Sequence, residues 1–587
     1  MALGQVSPMS GGLEQCRAGF TDGCATETPY EVGYMRSAQW GNEGEFSWSA
    51  LPMASTRIYG RYPESEHRHP IAFVRNIQTG SIFCIQVAWS GGYHITLDVS
   101  QNLRRYHDWE RTGSQFVCLG FEAGPHAPTP LRVLRPGETY ETPGVHIGMV
   151  YGTLDDAVAE NHAHARMLLG MNRTASQAYV EAALGPGMPY TDEYLDNAMR
   201  MASEAGADVF FIDAGWYAPP DAGDNWDVHL GDWEHRRFNR SIPEIRDDVH
   251  ALGMKFGLWM EPERVSERSD AFRDHPERIA TGYDGQPLGS RQLDISRSDV
   301  AGYIEDCIAR VIGEWKLDFF RLDFNVGHLG EGAVNTAEGK PENYFARYYE
   351  HLYAMLSRLR SRFPDVIFEN CASGGARTDL GILRYFDHTW VSDWLDPPRS
   401  FRILSGMTLA LPPEYIDRFL FGNYGWRTGD ADFELDLLLF ARPTLSPIDT
   451  PDAPANPVLA GKLRNRIALY KEFVATFIAN CRVYHHTQVN PGPHSSGIGI
   501  LEYAASDKRR GMIGIFGLAG CTDCELCVTP KGLHPGYTYQ ITFLHSMETA
   551  RRTGLDIMRE GLPIIGMHPL ASRVVLFEAV GRVVPGD

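Results

Sequence analysis

At 587 residues the chain is too long for one compact core, so roughly two to four domains are expected. Its 74 acidic against 54 basic residues give a formal net charge of −20, which disfavours nucleic acids and anionic membranes as partners. The start, MALGQVSPMSGGLEQ, lacks the basic and apolar regions of a signal peptide, and no apolar run could span a bilayer. Ten scattered cysteines without disulfide-framework spacing predict reduced thiols and a cytoplasmic location.

The first part of the chain has the residue pattern of β-structure. Residues 81–88 and 93–99 read as strands, because β-branched and aromatic residues are bounded there by Ser-Gly-Gly and Ser-Gln-Asn. The RPGE sequence at 135–138 predicts a turn between two further strands. We therefore predict an N-terminal β-sandwich over residues 1–168.

From about residue 175, short apolar strands alternate with amphipathic helices, which is typical of parallel β/α architecture. Residues 191–205 predict a helix capped by Thr191, and residues 209–213 predict the buried strand that follows. No Gly-rich phosphate loop of an open doubly wound sheet appears, so we predict a closed (β/α)8 TIM barrel over residues 169–485. The next predicted elements are helices near 242–252, 300–315 and 344–363 and strands at 255–260, 318–322 and 366–369.

After about residue 490 the residue pattern again predicts β-strands. Strand-like runs at 497–503, 510–516, 537–543 and 572–578 predict a C-terminal β-sandwich over residues 486–587. This segment contains Cys521, Cys524 and Cys527 at a spacing that resembles iron–sulfur ligation, but the fourth cysteine and the trailing proline are absent. We predict neither a metal nor a cofactor.

Polar residues follow the predicted barrel strands, at the end where barrels carry catalytic groups. A single Asp at a strand end is often only a helix cap or an ion-pair partner, but five such clusters favour a site. Its acidic and aromatic lining suits a sugar, and two carboxylates that flank a glycosidic bond are the minimal machinery for hydrolysis. The clusters are Asp213 and Trp216; Trp259, Glu261 and Glu263; Arg321, Asp323 and Asn325; Glu369, Asn370 and Cys371; and Ser392, Asp393 and Asp396.

An ordered series of motifs across these clusters resembles glycoside hydrolase family 36. The resemblance covers about residues 170–480 and extends more weakly to both flanks. WSGGY at 89–93 and RPGETYETPGV at 135–145 carry it on the N-terminal side, and residues 534–578 carry it on the C-terminal side. The motifs are FFIDAGWY at 210–217, LGDW at 230–233, ALGMKFGLWMEPERV at 251–265, LDFFRLDFN at 317–325, FENCASGGARTD at 368–379 and TWVSDWLD at 389–396.

The resemblance implies an exo-acting, retaining α-glycosidase that cleaves terminal α-galactosyl residues from oligosaccharides or glycoconjugates by double displacement. It implies Asp323 as nucleophile and Asp393, rather than Asp396, as acid/base. Arg321, two residues before Asp323 on one strand, could keep the nucleophile anionic. The residues that we expect to bind substrate are Asp213, Trp216, Trp259, Arg291, Arg321, Asn325, Cys371, Gly374 and Trp394.

The chain departs from the family pattern at five positions. The second Asp before Gly-Trp is Ala214, and the Lys-Trp before the nucleophile is Arg321-Leu322. After the acid/base, Trp394-Leu395 replaces Asn-Thr. Because the missing Asp and the altered Lys hold the 4- and 6-hydroxyls of galactose in the family, the sugar does not transfer with the mechanism.

Three functions remain open from the sequence. The leading one is an α-galactosidase; the second is an α-N-acetylgalactosaminidase, galactosaminidase or other α-glycosidase, which Ala214 and Arg321 suggest. The third, a carbohydrate-binding protein without turnover, is disfavoured because both carboxylates are present. We expect a carbohydrate partner, no nucleic acid and no membrane, and we leave homo-oligomerisation open.

Overall fold

A computed structural model gives the fold of this chain. No helix among the residues that it describes is long and apolar enough to cross a bilayer. The structure describes residues 2–3, 9–18, 28–36, 40–60, 68–101, 115–127, 130–170, 178–186, 188–223, 225–282, 284–325, 340, 342–394, 396–420, 431–447, 456–487, 496–522 and 524–582.

The N-terminal region forms antiparallel sheets, as predicted. One sheet has the strand order β11-β7-β6-β3-β4 and another has the order β2-β9-β8-β5, and they pack on a shared core that includes Phe73, Ile85, Leu97 and Leu119. A short pair, β1-β10, lies beside them. The strands are β1 (Ala2–Leu3), β2 (Met9–Ala18), β3 (Tyr30–Met35), β4 (Phe46–Ala50), β5 (Ser55–Gly60), β6 (Ile71–Asn76), β7 (Ser81–Val87), β8 (Tyr93–Gln101), β9 (Gln115–Pro125), β10 (Arg132–Val133) and β11 (Val145–Tyr151).

Eight parallel strands close into a barrel in chain order, which confirms the predicted architecture. The strands are short and buried, so they appear in the sequence as apolar runs rather than as alternating patterns. They are β12 (Glu181–Leu184), β13 (Val209–Ile212), β14 (Lys255–Met260), β15 (Phe319–Leu322), β16 (Ile367–Asn370), β17 (His388–Trp390), β18 (Ile416–Leu420) and β19 (Arg442–Leu445).

Helices connect the barrel strands and cover the outside of the barrel. The predicted cap is present, because the Thr191 hydroxyl accepts a hydrogen bond from the Tyr194 backbone N–H. The helices are α1 (Leu154–Gly170), which precedes the barrel, and α2 (Asp192–Ala205), α3 (Ile242–Ala251), α4 (Asp270–Asp274), α5 (Ser298–Trp315), α6 (Tyr344–Arg362), α7 (Leu380–Leu383), α8 (Arg399–Ala410), α9 (Ala431–Leu437) and α10 (Pro457–Glu472).

The inside of the barrel is filled in layers. Apolar side chains that include Val209, Phe211, Phe319 and Ile367 form a cluster in its lower part. Polar side chains lie above them, towards the carboxyl ends of the strands, because each strand places every second residue inward. The floor of the barrel is therefore closed, and the open end carries the site.

The C-terminal region is a two-layer β-structure, as predicted. A six-stranded antiparallel sheet has the order β20-β21-β22-β27-β24-β25 and packs on the pair β23-β26. Its first strand lies just before the predicted boundary at 485/486, and the domain boundaries remain predictions. The elements are β20 (Cys481–His485), β21 (Ile498–Ala505), β22 (Arg510–Gly517), β23 (Cys524–Val528), β24 (Tyr537–Phe543), β25 (Glu548–Thr553), α11 (Gly554–Glu560), β26 (Leu562–Met567) and β27 (Ser572–Arg582).

Candidate active site

A cavity of about 240 Å³ opens at the carboxyl ends of the barrel strands. Both predicted catalytic carboxylates, Asp323 and Asp393, line it. Its lining combines aromatic rings, charged and polar groups, and small or apolar side chains. The other lining residues are Ala183, Gly185, Pro186, Asp213, Ala214, Trp226, Trp259, Arg321, Asn325, Trp390 and Phe419.

The Asp323 carboxylate lies directly after β15 and accepts four hydrogen bonds. The indole N–H of Trp259 donates to Oδ2 over 3.0 Å, and the side-chain amide of Asn325 donates to the same oxygen over 2.7 Å. The backbone N–H groups of Phe324 and Ser373 donate to Oδ1 over 2.7 and 3.2 Å. These four bonds fix the orientation of the carboxylate at the edge of the cavity.

The Asp393 carboxylate lies three residues after β17 and has a different environment. Burial, together with the negative charge of Asp323, raises the pKa of Asp393 from its usual 3.8 to about 6. Two indole N–H groups act in the opposite direction, because Trp390 donates to Oδ1 over 2.8 Å and Trp40 donates to Oδ2 over 3.1 Å. A carboxyl group with this pKa can hold a proton near neutrality, as a general acid must.

Arg321 brings a buried positive charge to the cavity. Its Nη1 lies 3.8 Å from Oδ2 of Asp213 and 3.6 Å from Oε2 of Glu369, and the guanidinium stacks 4.1 Å above the Trp390 ring. Burial raises the pKa of Asp213, whereas Arg321 lowers it. These ionic contacts are longer than hydrogen bonds, so the guanidinium keeps donors that a ligand hydroxyl can use.

Glu261 positions the nucleophile through a second side chain. Its carboxylate accepts from the backbone and the side chain of Asn325, which in turn donates to Asp323. Burial raises the pKa of Glu261 to about 7, although its ion pair with Arg264 lowers that pKa. The Asn325 amide is thus fixed between two carboxyl groups and presents its N–H to Asp323.

The loop between β3 and β4 reaches the acid/base from the N-terminal sheets. Glu43 is fully buried and accepts a hydrogen bond of 2.8 Å from the hydroxyl of Ser392, the residue before Asp393. Burial raises the pKa of Glu43 to about 7. Arg402 of α8 donates to the backbone oxygens of Gly41 and Asn42, which anchors the loop on the barrel.

A glycine allows the backbone to approach the acid/base. Gly374 has φ +80°, and a Cβ atom there would lie 2.8 Å from the backbone nitrogen of Asp393. A side chain at this position would therefore both strain the backbone and push the Asp393 segment away.

The structure brings most of the predicted site residues together. Asp213, Trp259, Arg321 and Asn325 line the cavity with the two carboxylates. Cys371 and Gly374 lie immediately behind this wall. Cys371 is buried and accepts from Arg321 Nη2 over 3.5 Å.

Besides Cys371 and Gly374, three further predicted binding residues do not line the cavity. Trp216 is fully buried and donates its indole N–H to the Trp259 carbonyl oxygen, so it supports Trp259 from behind. Arg291 pairs with Glu267 on the surface, away from the cavity wall. Trp394 lies under the Arg399 guanidinium at 3.7 Å and meets the edge of Trp40, so it belongs to the rim.

The departures from the family pattern lie at the cavity or beside it. Ala214 presents a methyl group to the cavity where the family has a carboxylate, and Arg321 faces it. Leu322 is buried, and Leu395 lies outside the described residues. Asp396, the rejected alternative to Asp393, is not part of the cavity lining.

Sequence reasoning missed Trp226 and Phe419 of the cavity lining, and also three residues that contact Asp393 or its neighbour Ser392. Trp40 and Glu43 come from a loop with no periodic pattern, about 350 residues before their partners. Trp390 was within a quoted motif, and its place at the end of an apolar strand was the available signal.

The cysteine series in the C-terminal region gains no support as a metal site. Cys521 is buried and Cys527 is exposed, and the side chain of Cys524 lies outside the part that the structure describes. Among the described residues, the group of three or more ligands close enough to share an ion does not include these cysteines.

Comparison with known proteins identifies relatives for this arrangement. The Melibiase family model matches residues 139–420. The chain is 28% identical over 348 residues to the α-galactosidase AgaA of Geobacillus stearothermophilus, which covers 57% of this chain and 44% of that sequence. It is 26% identical over 465 residues to α-galactosidase 2 of Pediococcus pentosaceus, which covers 73% of this chain and 61% of that sequence. The chain thus spans about half the length of these relatives.

Solved structures share the fold. The crystal structure of the family 36 α-galactosidase AgaA from Geobacillus stearothermophilus superposes with a TM-score of 0.81 at 22% identity, over 94% of this chain and 76% of that one. The α-galactosidase of Lactobacillus brevis superposes with a TM-score of 0.78 at 18% identity, over 96% and 75%. Together, the family model, the relatives and the fold confirm the predicted resemblance of this chain to the α-galactosidases of glycoside hydrolase family 36.

Proposed function

We propose that the chain is a retaining, exo-acting α-glycosidase that releases terminal α-galactosyl residues. The observation that carries this proposal is the asymmetry of two carboxyl groups in one cavity. Asp323 accepts four hydrogen bonds that fix its carboxylate, whereas burial and the Asp323 charge raise the pKa of Asp393 to about 6. Opposite protonation states in one site are what double displacement requires.

In the first step, Asp323 attacks the anomeric carbon and Asp393 gives its proton to the departing glycosidic oxygen. The products are a covalent glycosyl–Asp323 ester and the free aglycone alcohol. In the second step, Asp393, now a carboxylate, takes a proton from a water molecule that attacks the same carbon. The sugar leaves with retained configuration, and both carboxyl groups return to their starting states.

The cavity favours a single sugar ring. Its volume of about 240 Å³ is below the ~300–1,000 Å³ that pockets for drug-sized ligands occupy. Trp259 and Trp226 offer aromatic surface for C–H groups, and Asp213 and Arg321 offer an acceptor and donors for hydroxyls. Structures of the related AgaA contain raffinose and stachyose. We infer that oligosaccharides with a terminal α-galactosyl unit are the substrates of this chain too.

Two changes in the cavity lining favour a different sugar specificity as the alternative. Ala214 leaves a methyl group where the family has a carboxylate, and Arg321 is a wider fork than lysine. Both changes alter the contacts to the 4- and 6-hydroxyls. An α-N-acetylgalactosaminide, α-galactosaminide or other α-glycoside is therefore the alternative substrate, and we expect modest efficiency on simple α-galactosides.

A panel of 4-nitrophenyl α-glycosides tests the function and the sugar together. We expect hydrolysis of the α-galactoside with initial release of the α-anomer, observed by proton NMR. Release of the β-anomer would exclude the retaining mechanism. A folded protein that hydrolyses no member of the panel would exclude the glycosidase function and leave the carbohydrate-binding alternative.

Replacement of the nucleophile tests the role of Asp323. We expect Asp323→Ala to reduce turnover at least ~10⁴-fold with an unchanged circular dichroism spectrum, because no other carboxylate can form the ester. A 2-fluoroglycosyl label should map to Asp323 by peptide mass spectrometry. A label on Asp213 or Glu263 would contradict the assignment.

A further inference from the structure

A ring of polar side chains lies inside the barrel directly below the cavity. Strand register places Trp259, Arg321, Glu369 and His388 side by side on four successive strands, β14 to β17. Asp417 and Arg442 are register partners on β18 and β19 and continue this layer. Trp259 and Arg321 also line the cavity, so the layer contacts the site through these two side chains.

Most charges in this layer are paired. Both ring nitrogens of His388 face carboxylates, Nδ1 at 2.6 Å from Asp417 and Nε2 at 3.0 Å from Glu181. Arg442 donates to the same two carboxylates over 3.1 and 3.2 Å. Although burial and Arg442 lower it, Asp417 and Glu181 raise the pKa of His388 to about 10. Two cations therefore balance Asp417 and Glu181.

Glu369 is the exception. It is fully buried, and within the described part of the chain neither of its carboxyl oxygens has a hydrogen-bond partner. Among the residues that the structure describes, its one ion-pair contact is the 3.6 Å approach to Arg321, whose charge Asp213 shares. One oxygen of Glu369 also lies within 4.8 Å of ligand atoms of Glu181 and Asp417. A third negative charge so close to two others, without its own cation, is strongly disfavoured.

We propose that Glu369 is an uncharged positioning residue that holds the Arg321 guanidinium against the cavity and leaves its charge to Asp213 and Asp323. The inference rests on the proposed function, because it assigns a purpose to Arg321 in sugar binding. In this arrangement Glu369 determines the position of the Arg321 guanidinium. The positive charge of Arg321 acts on the two carboxylates at the cavity, Asp213 and Asp323.

A metal ion is a poorer explanation of the same layer. Glu181, Glu369, His388 and Asp417 are close enough to share a cation. The space among them already faces two positive groups, because Arg442 donates to two of these carboxylates and His388 is held between them. A further cation would have to displace these bonds.

Two substitutions at position 369 separate shape from charge. Glu369→Gln keeps the shape of a neutral carboxyl group, so we expect kcat/KM on an α-galactoside to stay within about threefold of the wild type. Glu369→Leu removes the polar contact to Arg321 at similar volume, so we expect KM to rise about tenfold with a smaller change in kcat. If Glu369→Gln damaged KM as much as Glu369→Leu, the residue would be a charged counter-ion and the proposal would fail.

A double-mutant cycle with Arg321→Lys tests whether Glu369 acts through Arg321. We expect the KM effect of Glu369→Leu to shrink to less than about threefold in the Arg321→Lys background. Equal effects in both backgrounds would show that Glu369 acts by another route and would overturn the inference. Wild-type protein without glycosidase activity would instead reject the proposed function itself, and the inference with it.

Glu414 provides the matched control. It is also buried, but it accepts two hydrogen bonds from Arg166, over 2.7 and 3.1 Å, away from the cavity. We expect Glu414→Gln to lower the melting temperature by several degrees without changing KM, because it breaks a charged pair. Glu369→Gln should leave the melting temperature within about 2 °C of the wild type. A large loss of stability there would contradict an uncharged Glu369.

Discussion

The hydrogen bonds around Asp323 and Asp393, the proposed catalytic carboxyl groups, differ in number and in kind. Asp323 accepts from two side chains and two backbone N–H groups. Asp393 accepts, within the described part of the chain, from two indole N–H groups and lies in the field of Asp323. The same functional group therefore acquires two roles from its surroundings. This difference has consequences both for the rate and for the stability of the protein.

The first consequence concerns the pH dependence of the rate. Because Asp393 must be protonated to act as an acid and its pKa is about 6, we expect kcat/KM to fall as the pH rises through about 6. The measurement needs an unactivated α-galactosyl disaccharide as substrate. Its leaving alcohol requires a proton from the acid, whereas a nitrophenol leaving group departs without full protonation. Initial rates between pH 4 and pH 9 measure this limb. Constant activity up to pH 9 would contradict the role of Asp393.

The second consequence concerns stability. The pKa of Asp393 rises from 3.8 to about 6 on folding, so the stabilisation from its proton is complete below about pH 4 and is lost as the pH rises through 6. We expect Asp393→Asn to be more stable than the wild type at pH 8 by roughly 1–3 kcal/mol, because a two-unit shift corresponds to ~3 kcal/mol and weaker indole bonds offset part of it. Urea unfolding at pH 4.5 and pH 8 measures the difference. If Asp393→Asn raised the free energy of unfolding equally at pH 4.5 and pH 8, the protonation of Asp393 would not explain the stabilisation.

Single residues also show where sequence reasoning succeeded and where it failed. Asp213, Trp259 and Asn325 were predicted correctly to face the cavity, because the ends of parallel strands converge on one rim. Trp216 was expected there too, yet its ring turns outward to pack on Trp233 and Trp315. A residue in a turn can point to either side, and the sequence contains no signal for the choice.

At the scale of elements, the predictions depended on periodicity. The buried barrel strands and the capped helix α2 appear within about two residues of the predicted positions, because apolar runs and capping residues are local signals. The segment that follows β16 is different. Its path past Asp393 depends on the left-handed conformation of Gly374, which only the structure reveals.

Substitution of this glycine tests how tightly the catalytic loops must fit. A Cβ at position 374 would lie 2.8 Å from the Asp393 backbone nitrogen, so we expect Gly374→Ala to displace the acid/base and reduce kcat about 10²-fold. Gly461 is the control: it lies within α10 and a Cβ there meets nothing within 4 Å. Gly461→Ala should keep full activity and gain up to ~1 kcal/mol of stability. Equal activity of both variants would show that the loop tolerates movement.

At the scale of the whole molecule, the site crosses from one domain to another. Trp40 and Glu43 belong to the loop between β3 and β4, yet they contact Asp393 and Ser392 after β17. Composition and strand patterns predicted the order of the three regions correctly. They could not predict this contact, because no local sequence signal shows that the loop between β3 and β4 packs on the segment after β17.

Removal of the Trp40 indole tests the contribution of the N-terminal region to the acid. The indole N–H lowers the pKa of Asp393, so we expect Trp40→Phe to raise that pKa and to move the alkaline limb of kcat/KM to higher pH. Trp48→Phe is the control, because Trp48 lies on β4, directly after the loop that carries Trp40, and packs on Arg75. This variant should leave the alkaline limb of kcat/KM at the same pH. A shift of the limb to lower pH in Trp40→Phe would contradict the assigned bond.

The anchoring of this loop by Arg402 also bears on how the protein gains its activity after synthesis. A barrel that formed before the N-terminal sheets docked would leave Asp393 without Trp40 and Ser392 without Glu43. During refolding from denaturant, catalytic competence should therefore appear later than barrel secondary structure, at a rate independent of protein concentration. A barrel without the preceding residues would lack both the Trp40 bond to Asp393 and the Glu43 bond to Ser392.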